Sequence, residues 1–219
     1  MKEIWYYAKQ STLIKCKCLK ISIKEIVKIL HGLDSVRNNL HLKPMELTKK
    51  EIIDRLESQS RALRNWFLDK PIEKMEFAPE GAWTAGQHLL HLIKSTKPLG
   101  KGMGYPRILL RLKFGKVKHA SRSYEDTIKA YTDALDKGGK ATGEFVPREV
   151  KKAEREALVA RFRDEMAVLT NQVHQWSEKN LDNTNVPHPL IGNITLREML
   201  YFTIYHMEHH LKILEERYS

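Results

Sequence analysis

Cysteine is nearly absent from this chain: of 219 residues only Cys16 and Cys18 are cysteines, and from Met45 onward there are none. A disulfide framework is therefore excluded for the larger part of the protein. A lone Cys-x-Cys pair without partner cysteines reads as ordinary sequence before it reads as a metal or redox motif, and this usage fits a reducing, cytoplasmic setting. No apolar run approaches the roughly 20 residues that span a bilayer. The stretch "STLIKCKCLKISIKEIVKIL" is broken by lysine every few residues, so it lacks the uninterrupted apolar core of a signal peptide. Alternating strand patterns of any length and internal repeats are missing too.

Positive charge is present in excess but unevenly. Residues 1–44 hold eight Lys and one Arg against Glu3, Glu25 and Asp34, more than half of the net +11. The remaining chain is mildly basic and has no interleaved basic and aromatic stripe, so specific nucleic-acid binding is not expected. Residues 1–44 read as a basic extension, loosely attached to the working protein. A surface or membrane-surface helix is the other reading, since Ile23, Ile26, Val27 and Leu30 share a face from which Lys20, Lys24 and Lys28 are excluded. With 42% apolar and 30% charged residues, the segment 45–219 is expected to form one globular domain.

Three Thr-x-x-Glu/Gln capping boxes mark helix starts within that segment: Thr48 with Glu51, Thr84 with Gln87, and Thr195 with Glu198. After Thr48, the residues Ile52, Leu56, Leu63 and Phe67 keep helical spacing until Pro71. After Thr84 come Leu89, Leu90, Leu92 and Ile93, with an end expected at Pro98 and Gly100. Beyond Pro147, Leu158, Phe162, Leu169, Val173 and Trp176 recur at three, four or seven residues, and Thr195 launches a helix running almost to Ser219. The expected fold is all-α: a four-helix bundle with a long crossover, Pro98 to Pro147, between helices 2 and 3 and a short helix near Ser123 to Leu135.

Histidine carries the chemical signal. In "TIYHMEHHLKIL", His206 and His210 fall on the stripe of Leu196, Met199 and Thr203, one turn apart on the core-facing side. Two imidazoles at i and i+4 can converge on one metal ion; their alternative is a pair of hydrogen-bonded core residues. His209 points about 100° away and reads as solvated. A bundle-core metal needs ligands from another helix, and the second helix offers His88 and His91 in "WTAGQHLLHLIKS". Periodicity alone favours His88, which lies nearer the apolar arc, and does not exclude His91. Trp83, just before the Thr84 cap, reads as a hydrophobic staple. His188 lies in a loop, where solvent or a site mouth are its options, and His31, His41, His119 and His174 form no constellation.

The elements "WTAGQHLLH" and "HMEHH" together resemble the DinB-like superfamily of metal-binding four-helix bundles, over about Met45 to Ser219. The resemblance implies that the ligands are the histidine of the W-x7-H element and the outer histidines of H-x-x-x-H, here His91, His206 and His210. The stretch "HPLIGNITLREML" is similar to a subgroup in which a His-Pro loop leads into the last helix. One position departs from the family: where members often carry Gln or His seven residues after the first ligand of the final helix, this chain has Ile213, so a second polar partner for the ligands is missing from its usual place.

Three neutral histidines leave a coordination position open on a divalent ion, which can acidify bound water to a pKa of about 7 or activate a thiolate. The resemblance implies the same two chemistries: metal-dependent hydrolysis, or transfer to a low-molecular-weight thiol such as bacillithiol or mycothiol, with zinc or nickel as metal and a small molecule as substrate. A homodimer is a further expectation. A non-catalytic bundle, with an interaction or structural role and an inactive site, is the alternative. No catalytic base is evident, since Glu208 should point away from the stripe. Lys94, Lys97, Lys101 and Arg107 read as a solvated rim or as anchors for an anionic substrate or thiol.

Overall fold

The computed structural model describes residues 46–79 and 81–218; the basic extension, Cys16 and Cys18, His31 and His41 lie outside the described residues. The chain is mostly helical. Helix α1 spans Lys49–Asp69, α2 Ala85–Met103, α3 Arg107–Phe114, α4 Tyr124–Asp136, α5 Arg155–Gln175, α6 Glu178–Asp182 and α7 Leu196–Arg217. All three capping boxes form with both of their hydrogen bonds, at Thr48, Thr84 and Thr195. The long helices pack on one another around a shared apolar core: α1 lies against α5 and α7, and α2 against α5 and α7.

The predicted core stripes face inward. Ile52, Leu56, Leu63 and Phe67 of α1, Leu89, Leu92 and Ile93 of α2, and Phe162, Leu169 and Val173 of α5 are buried. Gly86 lets α2 approach its neighbours closely, since a Cβ there would stand 2.7 Å from Val150 Cγ1 and 2.9 Å from the Met75 carbonyl oxygen.

Three features differ from the sequence expectation. Helix α2 does not stop at Pro98 but runs through it to Met103. A proline inside a helix forfeits one backbone bond, yet the extra turn buries Met103 and brings Gly100 against Leu169. The Trp176 indole N–H donates to the Met103 carbonyl at 3.1 Å and closes that end. Helix α3 was not anticipated; only Leu110 of its eight residues is buried, too few apolar contacts to leave a clear period.

The His-Pro loop is a β-hairpin, with β1 (Asn185–His188) antiparallel to β2 (Gly192–Thr195). Strands of four residues are too short to show an alternation in sequence. Gly192 takes a positive φ of 73° at the turn, the conformation glycine adopts without a Cβ penalty. Thr195 ends β2 and caps α7, so the hairpin fixes where α7, and with it His206 and His210, begins.

Candidate metal centre

The structure brings His91, His206 and His210 together. One nitrogen from each lies within 4.8 Å of the others, and all three rings are buried. His91 Nε2 and His210 Nε2 each stand 3.0 Å from His206 Nε2. Nitrogens bound to one ion at about 2.0–2.1 Å would stand roughly 3.0 to 3.4 Å apart, so this donor set fits a small divalent cation.

Helix geometry explains the convergence. His206 and His210 sit one turn apart on α7, where side chains four residues apart share a face, and α2 lies across from them carrying His91. The Trp83 ring packs against His88 and His91, at centroid distances of 5.6 and 5.0 Å, so it extends the predicted staple into the site wall.

Hydrogen bonds orient two of the rings. His91 Nδ1–H donates to the Phe145 carbonyl at 2.8 Å, leaving the Nε2 lone pair toward the cluster. The Tyr218 hydroxyl donates to the Trp83 carbonyl, so its oxygen is free to accept from His88 Nε2–H at 3.2 Å. His88 Nδ1 is then an acceptor, and it receives Nδ1–H of His210 at 2.8 Å. His210 Nε2 is thereby left unprotonated and aimed at His206. Such outer hydrogen bonds set the tautomer and orientation of a ligating imidazole.

His88, favoured by periodicity, is thus placed behind His210 rather than inside the trio. The partner that Ile213 does not supply comes from α2 and from Tyr218 at the end of α7. Apolar spacing leans only weakly toward His88, and the two residues are equally buried; what distinguishes them is which atoms they meet.

Electrostatics keep the cluster neutral. Burial, reinforced by the neighbouring histidines, holds His206 and His210 well below the usual imidazole range. Burial lowers His91 as well, against the opposing pull of its bond to Phe145. Burial, with His91 nearby, brings His88 down to about 4. Neutral imidazole is the form that binds metal.

A cavity of about 770 Å³ opens beside the cluster, with His91 and His206 in its wall. It is bounded by α2, the connection from α2 to α5, and the hairpin, and its lining is mainly apolar, including Leu99, Leu110, Leu190 and Phe202. His188, expected in a surface loop, is buried in this wall. His209 is half-buried and stacked on Tyr205, less solvated than its position suggested.

Of the four predicted rim cations, Lys101 lines the cavity. Lys94 donates to the Val146 carbonyl, Lys97 pairs with Glu165, and Arg107 lies over the Trp176 ring. Glu208 accepts from Gln59 Nε2 and from the Tyr124 hydroxyl, so it is engaged between helices, and it is not among the residues lining the cavity. His119 and His174 are exposed and lie outside the cavity wall.

The family model of the DinB superfamily matches residues 55–214. Comparison with curated proteins and with solved structures finds no significant match. The matched stretch covers most of the chain and includes all three clustered histidines, and the chain belongs to the DinB superfamily.

Proposed function

We propose that this DinB superfamily protein is a metal-dependent enzyme acting on a small molecule, with His91, His206 and His210 as the ligands of a zinc or nickel ion. The observation that carries the reading is the convergence of three buried, neutral imidazoles at the wall of an apolar cavity. A structural site would be closed by a fourth protein ligand, whereas three histidines leave a position for a reactant. When bound, the ion supplies Lewis acidity and lowers the pKa of a coordinated water or thiol, which suits hydrolysis or transfer to a low-molecular-weight thiol. The protein's part is to hold three lone pairs at fixed spacing, through Phe145 and His88, and to exclude bulk water with the Trp83 and Phe202 rings. We read the four long helices as a four-helix bundle, with the connection between α2 and α5 as its long crossover covering the site.

The test is metal analysis of protein purified without an affinity tag, combined with a screen of hydrolysis and thiol-transfer reactions. The expected result is about one divalent ion per chain, lost in His206→Ala and in His91→Ala. Metal content unchanged by either substitution would remove the assigned site. A full metal complement with no access of water or thiol, read from the spectrum of a cobalt-substituted form, would favour the non-catalytic alternative.

A further inference from the structure

Two polar groups in the cavity wall take no part in the histidine cluster: the Tyr131 hydroxyl and Nε2 of His188. Both residues line the cavity and are more than nine-tenths buried. His188 Nδ1 accepts the backbone N–H groups of Leu190 and Ile191, at 3.1 and 3.2 Å. Its proton therefore sits on Nε2, and the ring is a neutral donor of fixed tautomer. The hairpin turn thus has a second role, since the backbone that follows Pro189 selects which nitrogen of His188 can donate.

Among the described residues neither Tyr131 Oη nor His188 Nε2 has a hydrogen-bond partner. Among the described residues the one buried side-chain polar atom both sealed from any surface and without a partner is Trp66 Nε1, so these two atoms are reachable by solvent, in residues that line the cavity. They are also near each other and near the cluster. The Tyr131 ring lies 5.8 Å from the His188 ring and 6.3 Å from the His206 ring. Phe202 stacks on His206 at 4.8 Å and meets His188 edge-on at 4.3 Å.

We propose that the Tyr131 O–H and the His188 Nε2–H together bind a carbonyl-type oxygen, as in an ester, amide or carboxylate, on a small molecule whose apolar body fills the cavity. This deepens the metal-centre reading and rests on it for the role of the bound oxygen, which the pair would hold beside His206. Two neutral donors in an apolar wall suit an oxygen carrying little or one negative charge. Apart from the proposed ion, the cations near the pair offer a dianionic phosphate little compensation for its lost hydration: Arg122 is paired with Glu198, and the cavity's lysines, Lys101, Lys113 and Lys140, are exposed at its edge.

Octanoate is the probe, titrated by calorimetry into the full chain, zinc-loaded and chelator-treated. Tyr131→Phe removes one donor and keeps the ring. His188→Asn removes the other and offers an oxygen in place of Nδ1 to the Leu190 and Ile191 amides, so the turn can persist; thermal midpoints check that both variants fold. Each variant is expected to bind octanoate at least five-fold more weakly than wild type in both metal states, with zinc uptake unchanged. Affinity within two-fold of wild type in either variant, or no octanoate binding by the wild-type chain, overturns the proposal. Failure of the wild-type chain to take up zinc would count instead against the three-histidine centre, and the chelator-treated titrations would still decide the donor pair.

Discussion

His88 Nδ1 lies 2.8 Å from His210 Nδ1, which makes a residue outside the trio responsible for the tautomer of one of its members. The support continues through Tyr218 to the Trp83 carbonyl, so the start of α2 and the end of α7 are joined behind the site.

His88→Ala is expected to weaken zinc binding by about 10- to 100-fold while leaving one site per chain. Tyr218→Phe should weaken it less, because His88 keeps its contact with His210. Competition against a chromogenic chelator measures both; an affinity for His88→Ala equal to wild type would show that His210 needs no such support.

Acid should destabilise the metal-free fold in a defined window. Burial, with Arg122 nearby, lowers His188 to about 4, whereas an unfolded histidine titrates near 6.5. The unfolded chain therefore takes up a proton that the folded chain refuses, and stability falls as pH drops from about 6.5 to 4 and is level above it. His188 contributes on the order of 3 kcal/mol to that loss, and His88, also lowered to about 4, adds to it. Denaturant melts of chelator-treated protein at pH 7 and 4.5 should show a shallower pH dependence in His188→Asn than in wild type.

Gly86→Ala should lower the thermal midpoint, at a cost of about 1–3 kcal/mol. The added methyl would meet Val150 Cγ1 and the Met75 backbone carbonyl, both closer than 3 Å, and the second of these cannot rotate away. A midpoint equal to wild type would mean that α2 is free to shift.

Arg197→Ala should be among the most damaging substitutions away from the site. The guanidinium is buried and bonded to Asp182, Glu178 and the Leu47 carbonyl; because both carboxylates keep contact with water, losing these charged hydrogen bonds costs about 1–3 kcal/mol. Chemical denaturation measures it; a loss under about 1 kcal/mol would place the group in effective contact with water.

Much of this fold is legible in the sequence because its signals are local. A capping box involves residues three apart, and Thr48, Thr84 and Thr195 each announce a helix without reference to the rest of the chain. The passage of α2 through Pro98 depends on Trp176 and Leu169, some seventy residues away, and no window around Pro98 contains them. The same division holds at the site. The i, i+4 spacing of His206 and His210 shows that they share a face, whereas the placement of His91 came from the family resemblance. The burial of His188 and Tyr131 in one wall is visible only after the hairpin and α4 have packed against α7.

Phe145 belongs to two places at once. Its carbonyl accepts the hydrogen bond from His91 Nδ1–H, and its residue lines the cavity. A molecule that pushes this segment aside as it enters would slacken His91, and one that presses it inward would tighten the bond. Linkage makes the effect mutual: whatever factor cavity occupancy applies to metal affinity, the metal returns to the affinity of the occupant. Measured cavity affinities would then be properties of a stated metal load, and measured metal affinities those of a stated cavity content.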